Sequence, residues 1–431
     1  MLNKILSGRV FRGIGANLYG QGITIILQVI SLPIYLSIWS PDEYGIWLML
    51  SAIPAYFALS DMGFLVTSIN NVSMRAASGD VQGSQRAFST AMVFCLCLWL
   101  IVIALLFLAF LLPDDIGGGV YWSYLDVFMI LILVAVVNMS GGLLDGVFRA
   151  NDSFATGMYL LSTLRIVEWT GGVLFAYYTK EYLYVAMGQL GFRLVGFFCL
   201  CFIVSRVYEN ITWTLAEASV DEFRSNIGKA VSFMAFPAGN VVSIQGMALA
   251  VGSLFGPAAV VVFNIYRTLS RVTVQLANVV SRSVWPEISK RIGEGNVDSV
   301  WGLYVKSKRY SGFLILTCCV TLYFLGSMIF DVWIGSDKGI IFDEWIFSLF
   351  LISAFLNAGW QIDMAVLAAG NMHREIAIRY LAGSVFSIGL VVLLGSDFWI
   401  APVVMIFAEL FLFIYSPVVV KSKLKGLAVS K

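Results

Sequence analysis

Residues 256–282 read GPAAVVVFNIYRTLSRVTVQLANVVSR, an apolar stretch whose only charged side chains are Arg267, Arg271 and Arg282. On a helix of about 3.6 residues per turn these three share one face with Asn264, Gln275 and Asn278. A guanidinium at bilayer depth costs anywhere from about 2.5 to 17 kcal/mol according to the reference state, so it is expected to face an aqueous cavity or a partner group. The stretch therefore predicts a membrane helix with a cationic side turned toward a route for something anionic.

Working outward, 59% of the 431 residues are hydrophobic and only 12% are charged, with a mean hydropathy of +0.87. Soluble domains carry about 25% charged residues. Polar interruptions divide the chain into apolar segments long enough to cross a hydrocarbon core about 30 Å thick. They run over residues 14–38, 44–68, 88–112, 123–147, 155–178, 182–205, 227–250, 256–280, 309–331, 343–368, 376–395 and 398–420. All are read as helices, because a lone strand leaves its backbone unsatisfied in lipid and barrel strands are shorter and alternate.

The fold expected is an all-α membrane protein of about 12 transmembrane helices in two pseudo-symmetric six-helix bundles around a central cavity. Residues 1–205 form the N-terminal bundle, 206–226 a cytoplasmic linker and 227–431 the C-terminal bundle. A weak internal repeat supports the division. Asn17 and Gln21 correspond to Asn240 and Gln245, and Asp145, Val147, Ala150 and Asn151 to Asp363, Val366, Ala369 and Asn371. Basic residues are retained in cytoplasmic loops. With the N-terminus inside, only Lys180 and Lys338 fall outside, which places both termini in the cytoplasm. The first segment lacks a small-residue cleavage site and is read as a retained span.

Several chemistries are excluded. The one histidine, His373, cannot supply a Ser-His-Asp triad or a His-based metal site. Gly228-Lys229 lacks the upstream glycine of a phosphate-binding loop and is followed by Ala230. The six cysteines lie in apolar spans without CxxC spacing and read as small packing residues. No enzyme activity, cofactor, metal or nucleic-acid partner is expected.

Further polar groups mark candidate sites. Asn17, Gln21, Thr24, Gln28, Ser31 and Tyr35 share one face of the first span, either lining a cavity or hydrogen-bonding to adjacent helices. Arg165 has Glu168 three residues on, close enough to pair. Arg193 has no local acidic partner and points either into a cavity or toward a carboxylate on another helix. Asp61, Asp363 and Glu409 are candidates for ion coupling, because burial favours protonation of a carboxylate. Trp39, Trp47, Trp122, Trp333, Trp345 and Trp399 are expected in the interfacial belt.

The run from Pro41-Asp42-Glu43-Tyr44-Gly45-Ile46-Trp47, through Ile53-Pro54-Ala55-Tyr56-Phe57-Ala58-Leu59-Ser60-Asp61-Met62-Gly63-Phe64 and Asn70, to Ala76-Ala77-Ser78-Gly79-Asp80 resembles the bacterial O-antigen and polysaccharide-unit flippases. These belong to the multidrug/oligosaccharidyl-lipid/polysaccharide exporter superfamily. The resemblance is firmest over the first hundred residues. It implies translocation of an undecaprenyl-pyrophosphate-linked oligosaccharide from the inner to the outer leaflet of the inner membrane. Coupling to H+ or Na+ and association with other polysaccharide-assembly membrane proteins go with it. Arg267 and Arg271, with Arg193 and Arg165, would then hold the pyrophosphate, since a guanidinium fork binds phosphate oxygens bidentately. A cation-coupled multidrug exporter of the same superfamily is the first alternative. A polytopic polysaccharide polymerase or acyltransferase is the second, though it would want a larger outside loop or a catalytic histidine.

Overall fold

The computed structural model describes residues 8–52, 54–111, 124–208, 212–294, 296–335, 338–370 and 372–429. Among these there is no strand, and fifteen helices follow in order. They are α1 (Gly8–Ile38), α2 (Pro41–Ala52), α3 (Pro54–Ala77), α4 (Val81–Leu111), α5 (Leu125–Ala150), α6 (Phe154–Thr179), α7 (Tyr182–Val207), α8 (Val220–Phe233), α9 (Ala235–Phe255), α10 (Pro257–Ser270), α11 (Val272–Gly293), α12 (Val297–Ile334), α13 (Glu344–Ala369), α14 (Arg374–Leu394) and α15 (Ile400–Val429). Nine of them, among the described residues, are long and apolar enough to cross a membrane. The other three expected spans are the ones that sequence features interrupt. Pro54 opens α3 where its missing N–H costs nothing, α6 carries Arg165 and Glu168, and the eighth span breaks at Arg271.

Several helices overrun the apolar segments. The 38-residue α12 is about 57 Å long and starts at Val297, where the sequence suggested a loop up to residue 308. Hydropathy ends where Lys306, Lys308 and Arg309 begin, but lysine and arginine are good helix formers and the ladder continues through them.

The chain divides into two compact units, the first made of Met1–Trp39 with Leu50–Met234 and the second of Ser40–Met49 with Ala235–Lys431. The sequence placed the division at residues 206–226; the structure moves it to residue 234 because α8 is tied to the first unit. Arg75 reaches Glu222 at 2.9 Å, Asn71 donates to Asn226 at 2.8 Å, and Asn226 donates to Ser68 at 3.2 Å. Phe223 packs on Phe64 and Phe94. The first core gathers Phe64, Phe88, Leu144, Val147 and Phe148, and the second Trp360, Val366, Ile376, Leu412 and Val420.

Trp39 and Trp47 do not join an interfacial belt. Both are buried, and Trp39 donates its indole N–H to the Lys180 carbonyl at 2.8 Å while stacking on Tyr35. Trp345 and Trp399 are exposed, whereas Trp122 lies outside the described residues.

The α2 segment belongs to the second unit through a backbone approach. A Cβ on Gly45 would overlap the Pro257 carbonyl oxygen, so only glycine lets α2 pass the start of α10. Gly256 just before it has φ 86°, a turn that glycine adopts without strain. Gly45→Ala is expected to force these backbones apart and to destabilise the protein by about 1–3 kcal/mol. Gly302→Ala, where an added methyl meets nothing within 4 Å, is the control, and thermal unfolding in detergent measures both. Equal midpoints for the two variants would refute the close-approach argument.

Candidate functional site

Polar groups of the second unit meet at a cleft formed by α9, α10, α11, α13, α14 and α15, with about 60 Å³ of free volume. Its wall includes Arg267, Arg271, Asn240, Ser243, Asn357 and Glu409. Two guanidiniums and one carboxylate leave it with a surplus of positive charge.

Local sequence explains each side chain's position. Pro237, lacking an N–H, sits in the first turn of α9, and the helix then widens into a π-turn at Val242–Gly246. Such turns often occur at functional sites. The Ile244 carbonyl within it accepts a hydrogen bond from Arg267 Nη1 at 3.2 Å. The Arg267 guanidinium also lies 5.6 Å from the Phe263 ring centre, while its Nε has no hydrogen-bond partner among the described residues.

Arg271 sits at the break between α10 and α11. Ser270 donates to the Arg267 carbonyl at 3.2 Å and Thr273 to the Ser270 carbonyl at 2.6 Å. Hydroxyls that bond back to the helix in this way compete with its ladder and bend it. The break keeps Arg267 and Arg271 on one wall but ends the stripe there. Asn264, Gln275 and Asn278 are half-buried elsewhere, Asn264 donates to the Val260 carbonyl of its own helix, and Arg282 is exposed.

Glu409 on α15 is buried in the same wall. Trp360 Nε1 donates to one of its oxygens at 2.7 Å and Asn357 Nδ2 to the other at 2.9 Å. Asn357 accepts in turn from Gln361. Ser353, Asn357 and Gln361 are spaced four residues apart along an apolar span, the same signal that singled out Arg267 and Arg271. The sequence reading passed over that second stripe.

Asp363 is held differently. Fully buried, it forms an ion pair with Lys308 at 2.6 Å and accepts from Tyr304 at 2.8 Å and Ser416 at 2.6 Å. Both oxygens are occupied, and Lys308, assigned from the sequence to a loop, lies inside α12. The side chain of the third candidate carboxylate, Asp61, lies outside the described residues.

Arg165 and Arg193 belong to the first unit, and the pairing expected from spacing is exchanged between them. Glu168 lies 3.5 Å from Arg193 Nη1, not beside Arg165, and also accepts from Asn138 at 3.3 Å. Helices α6 and α7 approach through Gly171 and Gly188, where an added Cβ would meet backbone oxygen at 2.8 and 2.9 Å, and this sets the two charges face to face. Arg193 is buried at 4% exposure, so its partner is this carboxylate and not an open cavity. Arg165 is exposed and donates to Thr24 at 3.1 Å.

Two members of the stripe on α1, Thr24 and Ser31, are used for helix packing. Beyond Thr24, Ser31 accepts from Trp169 at 2.7 Å, and nearby Tyr19 bonds Thr163 at 3.1 Å. Asn17 is exposed and donates to the Gly13 carbonyl, Gln28 is exposed and Gln21 half-buried. Among the described residues no group of three or more His, Cys, Asp or Glu could hold a metal ion.

Solved structures with the same arrangement of helices are transporters. An inward-facing multidrug resistance MATE family transporter of the MOP superfamily superposes with a TM-score of 0.69 at 14% identity, over 93% of this chain and 96% of that one. An outward-facing conformation of such a transporter matches with a TM-score of 0.66 at 14% identity, over 97% and 96%. A point mutant of the Vibrio cholerae MATE transporter VcmN matches with 0.64 at 12% identity over 99% of both chains. The fold is that of the MATE transporters. No family model and no curated protein matches the chain. The all-helical, two-bundle expectation thus holds, and the neighbours lie in the wider superfamily that the motifs near residues 41–80 resemble.

The buried ion pair gives a direct test. Lys308→Met strands the Asp363 carboxylate in an apolar core and is expected to cost about 3–5 kcal/mol. Adding Asp363→Leu should recover most of it, read as thermal midpoints in detergent. A double variant no more stable than the single one would mean the pair is not what holds α12 to α13.

Proposed function

We propose that this chain is an alternating-access exporter of the cytoplasmic membrane, with both termini inside, and that its cargo is an undecaprenyl-pyrophosphate-linked oligosaccharide moved from the inner to the outer leaflet. The observation carrying this reading is the surplus cationic charge of the cleft. Arg267 and Arg271 stand one turn apart, and one carboxylate, already engaged by Trp360 and Asn357, is the acid beside them. A pyrophosphate offers several anionic oxygens, and two guanidiniums can meet them with charge-assisted bonds worth about 1.5–3 kcal/mol each. Asn240, Ser243 and Asn357 supply neutral donors and acceptors suited to sugar hydroxyls. Arg165 and Arg193 drop out of the proposed phosphate site, since Thr24 and Glu168 engage them.

Glu409 is proposed as the group that couples transport to H+ or Na+, because it lines the same cleft as the arginines. Asp363, with Lys308 fixed against it, is assigned a structural role.

The second reading is a cation-coupled multidrug exporter, and the comparisons lend it more support, since the solved neighbours include multidrug resistance transporters. The positive cleft supports the first, because many drug cargoes are cationic and would be repelled. In a strain lacking the chromosomal copy, Arg267→Ala or Arg271→Ala is expected to lower surface polysaccharide at least tenfold at unchanged protein abundance. Accumulation of a cationic dye should not respond. Unchanged polysaccharide together with altered dye efflux would replace the first reading by the second.

Glu409→Gln keeps the acceptor for Trp360 but cannot change protonation. It should abolish transport driven by an imposed ion gradient in vesicles while retaining cargo binding within about threefold. Gradient-driven transport at the wild-type rate would exclude Glu409 as the coupling group.

A further inference from the structure

A second cavity of the same unit lies along α14 and α15 and is less polar than the arginine cleft. It holds about 450 Å³ and runs along α14 from Arg379 to Leu390, a rise of about 16 Å. The volume falls in the range of about 300–1,000 Å³ typical of ligand pockets. Phe386 and Phe407 on its rim are 67% and 65% exposed, so among the described residues this side of the groove is open. Gly383 lines its floor, and a Cβ there would meet nothing within 4 Å.

Two features set this groove apart from an ordinary lipid-facing surface. Ser243, Tyr380, Met405 and Glu409 line both this groove and the cleft of Arg267 and Arg271, so the two share a wall. At the Arg379 end, Arg379 and Lys423 lie 3.1 and 4.0 Å from the two oxygens of Glu375, and Arg374 stands next to it in the chain. Three cations around one carboxylate make that end an anion-attracting mouth. An apolar groove that has a positive mouth at one end and shares a wall with a cationic cleft matches a molecule that joins one long hydrocarbon chain to an anionic head.

We propose that the groove between α14 and α15 binds the polyisoprenoid tail of the cargo, keeping it against the bundle while the phosphate head reaches Arg267 and Arg271 across the shared wall. This inference rests on the lipid-linked reading of the cleft and adds the part of the protein that recognises the lipid. It places tail recognition within one unit of the chain. Filling the groove should therefore impair tail binding without touching either arginine.

The test uses the full chain in vesicles of phosphatidylethanolamine and phosphatidylglycerol, with undecaprenyl phosphate bearing a diazirine in its tail as probe. Light is expected to label peptides containing Phe386 and Phe407. Gly383→Leu should reduce that labelling at least fivefold, Gly383→Ala by less, and Gly389→Leu, a residue of the same helix outside the groove, not at all. A phosphatidylglycerol probe with a diazirine acyl chain should label these peptides no more than other lipid-facing ones and ignore Gly383→Leu. Isoprenoid labelling insensitive to Gly383→Leu, in a variant whose thermal midpoint matches wild type, would overturn the proposal. So would a phospholipid probe with the same pattern, which would make the groove an annular lipid site. If labelling fails while Arg267→Ala still abolishes surface polysaccharide, the groove is wrong and the cargo reading stands. If surface polysaccharide also ignores Arg267→Ala, the cargo reading falls with it.

Discussion

Hydrocarbon offers no partner to a polar group, and that constraint organises every level of this structure. Backbone satisfaction makes the chain helical, so the fold follows from the lengths of the apolar runs. Side-chain charge is admitted only with a partner, so each buried ion has a visible reason to be where it is. Asp363 has Lys308, Tyr304 and Ser416, Arg193 has Glu168, and Glu409 has Trp360 and Asn357. Arg267 has no carboxylate within ion-pair distance among the described residues, only one carbonyl at 3.2 Å, an aromatic face and an unpartnered Nε.

The same constraint explains what could be read in advance. Span positions were legible because apolar length is a one-dimensional property. The ends of α5, α6, α7, α13 and α14 fall within a few residues of the apolar boundaries. The end of α11 and the start of α12 were not, because helix propensity continues through lysine and arginine after hydropathy has stopped. The divide at residue 234 was missed because Glu222 and Asn226 tie α8 to α3 across some 150 residues of chain.

Partners across helices were the least legible of all. Spacing favoured Glu168 with Arg165, three residues away on the same helix. Packing gave it to Arg193, because two glycines bring α6 and α7 together so closely that the interhelical distance is shorter than the local one. Neutral polar stripes carried the same ambiguity. Thr24 and Ser31 were as consistent with helix packing as with a cavity, and Arg165 and Trp169 decide for packing at both. A cation is less ambiguous than an amide or hydroxyl because the cost of misplacing it in lipid is several times larger. Arg267 and Arg271 were therefore the strongest sequence signal, and they are the candidates that the structure gathers with Glu409 in one cleft.

That cleft is too small, at about 60 Å³, to enclose an oligosaccharide in the conformation described, so it holds at most a fragment of any such cargo. Size and charge together point to the part worth gripping. A phosphate is compact, strongly charged and common to every sugar sequence carried on the same lipid, whereas the sugars vary. On the proposed reading, anchoring a constant head at two arginines, with the tail in an open apolar groove, leaves most of the variable part in water. Recognition of this kind needs few residues and tolerates many glycans. It also fits the second unit, where Arg267, Arg271 and Glu409 share one cleft and the neighbouring groove is lined chiefly by apolar and small side chains.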